Sequence, residues 1–570
     1  MEPKQTRRRA IEERFPEWPR RTVAAHFDAM CRQYADRPLV MTPETGASYA
    51  QIGDQSRRLA KALIGAGIRR REHVAVIMSN RTEFLVCVLA LARIGAVCIP
   101  VNSMWTRDEV GFAFADADVT AVISESRIGS IDHRAALEAI SIREDSRLRQ
   151  VLLLGGPRPG RLREGWTGWK SLLDGADRID DADLARREAD SQYPDEVVWL
   201  LYTSGTTGHP RGVMLSHDMV LRSAYSTTLS RAFNDGRRML FALPLHHIFA
   251  LVEGTLAATF VGGCIIPQQH FAPRQALDLI ERYRADDFLC VPSMLVALLS
   301  EPSLATHDIE SLQAVMCAAA PAPATLWERA IRELGLAEIC TGYGMTEAAA
   351  ATMHTEPGDP VETVASRVGR IKPGGVSGLP EFNGANVQYK TIDPHTLEDL
   401  PSGEEGELCV RGNTVARGYY RRPEENGKRI DKDGWLRTGD LGILHADGYL
   451  ELTGRSDELY KVSGENVVPK EIEQVLTRHP AVNQAYVVGL PDPVQHHVGC
   501  AFVELRPGES LTRREVLDWC RKSLAKFKIP RHVFFVDAKD WPTTSTGKIQ
   551  KFRLAEQARD SLSGSRTGSR

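Results

Sequence analysis

The sequence predicts an α/β protein of at least two domains, and three observations carry that expectation. The 570 residues exceed what a single hydrophobic core spans. As far as about Gly403, short β-branched runs alternate with amphipathic segments, the texture of parallel sheets layered with helices. Beyond Gly403 short strands are separated by Gly- and Asp-rich turns, and past Arg455 a compact α+β pattern takes over.

The elements follow in order. His73–Met78 reads as a strand, Glu83–Arg93 as a helix and Val97–Val101 as another strand. The longest apolar run, Phe84–Val101, is interrupted by Arg93, Gly95 and Pro100, which suits a helix and a strand and not a membrane span. Val197–Tyr202, Met239–Leu243, Cys264–Pro267, Phe288–Pro292 and Ala314–Cys317 read as buried strands, with Ala276–Arg284 an amphipathic helix between them. Gly406–Val410 and Gly448–Leu452 suggest an antiparallel or barrel-like piece. Pro469 starts a helix to about Arg478, and Ala485–Gly489, Cys500–Leu505 and Val533–Val536 read as strands. Thr512 with Glu515 forms a capping box for a helix to about Phe527. The boundary is expected at Gly454–Asp457, dividing 1–454 from 455–570, and the Ser/Gly/Arg-rich residues 561–570 read as disordered.

Lys+Arg total 71 against Asp+Glu 74, a net charge of -3, so the basic surplus of a nucleic-acid binder is missing. None of the ten cysteines forms a C-x-x-C pair, and several lie in apolar runs, as expected of buried, reduced thiols in a cytoplasmic protein. Arg7, Arg8 and Arg9 are followed by no apolar segment of a secretory signal. Oligomeric state is left open, a dimer among the options.

The stretch Tyr202-Thr-Ser-Gly-Thr-Thr-Gly-His-Pro-Arg-Gly-Val213 follows an apolar strand. Backbone N–H groups freed by glycine, with hydroxyls of Thr203, Ser204, Thr206 and Thr207, make a cradle for phosphate oxygens around Gly205 and Gly208, and Arg211 would add positive charge. It is not a Walker A loop, because G-x-x-x-x-G-K-[ST] is absent.

The complete string resembles the phosphate loop of the adenylate-forming superfamily, which includes acyl-CoA synthetases, except that Arg211 stands where the family usually has Lys. The resemblance recurs in order over roughly Val23 to Leu554. Thr341-Gly-Tyr-Gly-Met-Thr-Glu347 resembles the adenine and magnesium segment. By that likeness Tyr343, flanked by Gly342 and Gly344, stacks on adenine, Thr346 contacts the α-phosphate and Glu347 holds Mg²⁺. Cys317-Ala-Ala-Ala-Pro321 resembles the segment lining adenine and acyl group, through Ala318, Ala319 and Ala320. Gly434–Gly442 resembles the ribose turn with Asp440; Arg455 also reaches ribose by likeness, and Asp457 is the hinge. Pro542-Thr-Thr-Ser-Thr-Gly-Lys548 matches the loop of the catalytic lysine.

The resemblance implies a large, layered N-terminal domain of two α/β subdomains with a distorted β-barrel, and a small mobile α+β C-terminal domain. It implies a carboxylic acid, ATP and Mg²⁺ reacting to an acyl-adenylate, and coenzyme A as acceptor beside Lys461, Ser463 and Gly464. A stand-alone ligase serving a carrier protein is the rival, and a non-catalytic nucleotide-binding regulator the alternative from another class. Leu243-Pro-Leu-His-His-Ile-Phe249 resembles the acyl-pocket entrance, making His246 and His247 candidates, with His247 the gate. Small walls at Ala318 and at Ala348–Ala351, and no placed charge for an amino group, point to a hydrophobic acid: medium-chain, aromatic or bulky alicyclic.

Overall fold

The structure is a computed structural model that describes residues 2–155, 163–203, 210–456, 458–462, 465–492, 495–544 and 549–564. By internal contacts the chain divides into two compact units. One comprises Met1–Gln388 with Val410–Leu436, the other Tyr389–Cys409 with Arg437–Arg570.

The first unit holds two seven-stranded sheets. In one the spatial order is Trp166–Gly168, Gln150–Leu154, Ala121–Glu125, His73–Ile77, Val97–Pro100, Val197–Thr203 and Arg211–Ser216. All pairs are parallel except the last, which is an antiparallel hairpin. In the other the order is Glu338–Cys340, Ala314–Cys317, Asp287–Cys290, Arg238–Phe241, Cys264–Pro267, Pro38–Met41 and Gly46–Ser48, again with only the last pair antiparallel. Helices cover these strands on both faces, so their residues are apolar without alternation: Val74, Ala75, Val76 and Ile77 are all buried. Thr82–Arg93 forms one covering helix, buried from Phe84 to Arg93, and among the described residues no helix is long and apolar enough to cross a membrane. A small antiparallel sheet of Gly342–Met345, Ala350–His354 and Arg370–Ile371 follows.

A second group of strands, lying largely in the second unit, is ordered Asp399–Leu400, Val387–Ile392, Glu405–Gly412, Leu436–Leu444 and Leu450–Arg455. The remainder is the α+β part, with strands ordered Glu465–Val467, Tyr460–Val462, His496–Leu505 and Val482–Asp492, and His532–Phe535 parallel to His496–Leu505. The barrel-like strands 399–409 and 437–455 thus belong to the second unit together with the α+β part. Arg455 pairs in register with Asp440, and the Lys470 ammonium donates to the Leu452 carbonyl, which ties that strand to the helix Pro469–Thr477.

Several local expectations needed adjusting. The Thr512–Glu515 capping box is present, but its helix stops at Arg521 and only a short 3-10 turn, Lys526–Lys528, follows. The last helix runs Lys551–Gly564, four residues into the segment whose composition suggested disorder. Nine cysteines are buried and Cys31 is half-buried, all unpaired as thiols.

Charge also fixes the central parallel sheet. Asp287 opens its strand fully buried, accepting from Arg231 Nη2 at 2.8 Å and Arg237 Nε at 3.0 Å. Burial pushes its carboxyl pKa up, but the two guanidinium charges outweigh burial and hold it below the ordinary value. A depressed native pKa means this stabilisation is present above the unfolded carboxylate pKa of about 4 and is lost as pH falls through the native value. Asp287→Asn leaves two buried guanidinium groups without their counter-ion, so we expect a loss of about 3–5 kcal/mol at neutral pH. Urea unfolding should show that loss at pH near 7, with the gap to wild type narrowing in acid.

Candidate active site

Three of the expected segments leave the carboxyl ends of parallel strands of one sheet. Arg238–Phe241 leads to His246 and His247, Ala314–Cys317 to Ala318–Ala320, and Glu338–Cys340 to Thr341–Glu347. Parallel strands point their carboxyl ends to one edge, so the topology brings these segments to the same side of the sheet, where open α/β sheets bind ligands.

The third segment is shaped by close backbone approach. Gly342–Met345 turns through Thr346–Ala348 and returns as Ala350–His354, with Gly344 opposite Ala351. A Cβ on Gly344 would lie 2.1 Å from the Ala350 carbonyl oxygen, so only glycine fits. The return forces Ala349 to φ 57° and Ala350 to φ 102°, conformations alanine adopts at a cost. Thr346 and Glu347 are left half-buried on the turn, while Tyr343 and Ala348 are buried. Ala319 also sits at positive φ, 70°, and with Ala320 is exposed beyond buried Ala318.

Glu347 is held twice. Its backbone carbonyl accepts from Ala416 N at 2.7 Å, and its Oε1 accepts from the Tyr419 hydroxyl at 2.7 Å. Arg429 Nη1 donates to the same hydroxyl oxygen at 3.2 Å. Tyr419 carries no motif signal that singles it out. An aromatic just before a Pro-Glu-Glu helix start is weak in sequence and becomes legible only when the chain folds it onto Glu347.

Arg211, expected to add positive charge for phosphate, is 5% exposed; its guanidinium pairs with Glu425 at 2.5 Å and lies over the Tyr419 ring at 5.4 Å. A planar fork suits one carboxylate and one ring face together, which a lysine ammonium matches less well. Thr203 pairs with Arg211 across the hairpin, so the two ends of the phosphate loop are pinned side by side. Ser204, Gly205, Thr206, Thr207 and Gly208 lie outside the described residues.

His246 and His247 are half-buried. Desolvation, helped by the neighbouring His247, lowers the His246 pKa to about 3, so its imidazole is neutral. His247 Nδ1 accepts from Phe249 N at 3.2 Å, which leaves Nε2 as the ring nitrogen that carries a proton.

In the second unit Asp440 and Arg455 stand together, with Arg455 Nη1 donating to Asp440 Oδ1 at 2.6 Å. Thr438 Oγ1 accepts from Asp440 N at 3.1 Å, and Gly439 takes φ 77° to make the turn. Lys461 is exposed on a short strand. Asp457, Ser463, Gly464 and Lys548 lie outside the described residues; Thr543 and Ile549 pair in an isolated antiparallel bridge.

A model of the family described as AMP-binding enzyme matches residues 27–420, and one of the AMP-binding enzyme C-terminal domain matches 471–548. The chain belongs to the AMP-binding enzyme family. Among its relatives, a methyl-dioxo-octahydroindenyl propanoyl:CoA ligase of Mycobacterium tuberculosis is 32% identical over 94% of this chain and 99% of its own. The mitochondrial medium-chain acyl-CoA ligase ACSF2 of Danio rerio is 28% identical over 95% and 89%. The solved anthranilate CoA ligase AuaEII, in complex with anthranoyl-AMP, superposes with a TM-score of 0.80 at 25% identity, covering 95% of this chain and 98% of that one. As an AMP-binding enzyme, the chain has acyl-CoA synthetases and ligases as homologues.

Gly344→Ala should abolish AMP binding in calorimetry. Gly335→Ala is the control: Gly335 also has positive φ, 67°, but an added Cβ meets nothing within 4 Å, so that change should cost only about 1 kcal/mol and leave AMP binding intact.

Proposed function

We propose that this chain is an AMP-forming acyl-coenzyme A synthetase acting on a hydrophobic carboxylic acid. The observation that carries the reading is the meeting, at one sheet edge, of a neutral histidine segment, an alanine wall and a carboxylate fixed on a strained turn.

In the first half-reaction the acid's carboxylate attacks the α-phosphorus of ATP in line and pyrophosphate leaves. Catalysis is positioning plus neutralisation of charge. Thr203, Ser204, Gly205, Thr206, Thr207 and Gly208 hold the phosphates, Thr346 the α-phosphate, and Ala319, Ala320, Gly342, Tyr343 and Gly344 the adenine. Asp440 accepts from the ribose hydroxyls while Arg455 holds one of its oxygens. Lys548 stabilises negative charge as it builds between carboxylate and phosphate.

No group of three or more His, Cys, Asp or Glu side chains that could hold a metal stands together among the described residues. Glu347 is the carboxylate that would hold a metal here, and one hard carboxylate sharing a cation with phosphates suits Mg²⁺. When bound, Mg²⁺ supplies charge neutralisation on the phosphates. His246, His247, Ala318 and Ala348 line the acyl entrance, and His247 with its proton on Nε2 can donate to the carboxylate.

In the second half-reaction the C-terminal part turns about Asp457, withdraws Lys548, and presents Lys461, Ser463 and Gly464 to coenzyme A. The enzyme works in the cytoplasm. A medium-chain, an aromatic and a bulky alicyclic acyl group are each named for one of the relatives above, and all are hydrophobic.

Pyrophosphate release over a panel of acids with Mg·ATP, with and without coenzyme A, tests the reading. We expect acid-dependent release and an acyl-CoA product by mass spectrometry; release that stops at bound acyl-adenylate moves the acceptor to a carrier protein. Lys548→Ala should lower adenylation by about a hundredfold or more while sparing thioester formation from supplied acyl-adenylate. Asp440→Ala should raise KM for ATP with a smaller change in kcat, and an unchanged KM would remove the ribose role.

A further inference from the structure

A buried charge cluster lies beyond the motifs. Glu253 sits six residues after His247, in the π-helical turn Phe249–Leu256, and is fully buried. Its Oε1 accepts from Lys372 Nζ at 3.1 Å and from Ala351 N at 3.1 Å, and its Oε2 from Thr227 Oγ1 at 2.8 Å. His354 Nε2 lies 3.1 Å from Oε2. Lys372 spends its other donors on Thr227 Oγ1 and the Ser223 carbonyl, at 2.8 and 3.2 Å.

Next to this cluster is a small cavity lined by Ser223, Ser226, Ala351, Lys372, Asn386 and Thr414, with space for about one water-sized group. Ala351 ends the alanine wall that starts at Ala348, and the segment from His247 ends on Glu253, which grips Ala351. The alanine wall therefore reaches this cavity at Ala351, which Glu253 holds from the other segment. Asn386 is 4% exposed; its Nδ2 donates to Ser226 Oγ at 2.7 Å and to Ser377 Oγ at 2.9 Å, while its Oδ1 has no partner. The accessible wall of the cavity is largely apolar, and a buried, unsatisfied carbonyl oxygen beside it is costly unless a ligand atom completes it.

We propose that the cavity receives the far end of the acyl group, and that the accepted acid is a hydrophobic body carrying a neutral oxygen, hydroxyl or oxo, at that end. A hydroxyl donates to Asn386 Oδ1, and an oxo group accepts from the serine and threonine hydroxyls. The charge balance selects neutrality. Burial would raise the Glu253 pKa, but Lys372 and His354 lower it to about 2, while burial lowers His354 to about 4, so one anion faces one cation and the neutral imidazole. A second carboxylate or an ammonium would bring an unpaired charge into this dry site. A plain alkyl end would leave Asn386 Oδ1 buried without a partner.

This rests on the synthetase reading, and the test separates the two. Straight-chain acids from butyrate to decanoate are compared with their terminal hydroxy, penultimate oxo and dicarboxylate counterparts by pyrophosphate release. At the chain length that reaches the cavity, the hydroxy or oxo acid should exceed both its plain parent and its dicarboxylate by about tenfold in kcat/KM, one neutral hydrogen bond's worth. Asn386→Leu and, as the milder change, Ser226→Ala should shrink that ratio mainly through KM for the acid, with KM for ATP unmoved. Plain acids equal to or better than their oxygenated partners at every length would overturn the inference and leave the synthetase reading standing. No acid-dependent release from any member would overturn both.

Discussion

The approach of Gly344 to the Ala350 carbonyl sets where Thr346 and Glu347 stand. With no side chain between them, the strand Gly342–Met345 and its return Ala350–His354 close into a turn that only glycine permits, and Ala349 and Ala350 absorb the strain. Thr346 and Glu347 ride on that turn. Tyr419 and the Ala416 amide then hold Glu347 from the other side, so the protein itself fixes the orientation of the carboxylate. Such preorganisation matters most for phosphoryl chemistry, where the protein contributes position and charge and little covalent work.

Buried charge is handled in the same way throughout the first unit. Asp287 meets Arg231 and Arg237, Arg211 meets Glu425, and Glu253 meets Lys372. In each case a side chain costly to bury alone is matched by an opposite charge and further hydrogen bonds or a ring face. The consequences differ. Asp287 stabilises the sheet, Arg211 packs the aromatic that orients Glu347, and Glu253 clamps the end of the alanine wall.

Local signals in the sequence were read well. Cys264–Pro267 and Ala314–Cys317 are strands as expected because fully buried parallel strands are continuous apolar runs, and the Thr512 capping box is local chemistry. The placement of the motifs at the ends of parallel strands also follows from local order. What sequence did not disclose was pairing between distant residues. Glu253 with Lys372, and Glu347 with Tyr419, are partners only after folding, and a buried glutamate looks like a surface one in a sequence. The pairing of Arg211 with Glu425 is likewise invisible in the sequence, where only its place in the loop motif is legible. The π-helical turn at Phe249–Leu256 has no sequence signature, and the strand pairing of Arg455 with Asp440 drew the barrel-like strands toward the C-terminal part.

The central claim is that the acid's own carboxylate attacks the α-phosphorus. Acid labelled with heavy oxygen in its carboxylate, turned over with ATP and coenzyme A, tests it most directly. Mass spectrometry of the products should find one labelled oxygen in AMP and none in pyrophosphate. Label in inorganic phosphate, with ADP as the nucleotide product, would contradict the account by placing attack at the γ-phosphorus.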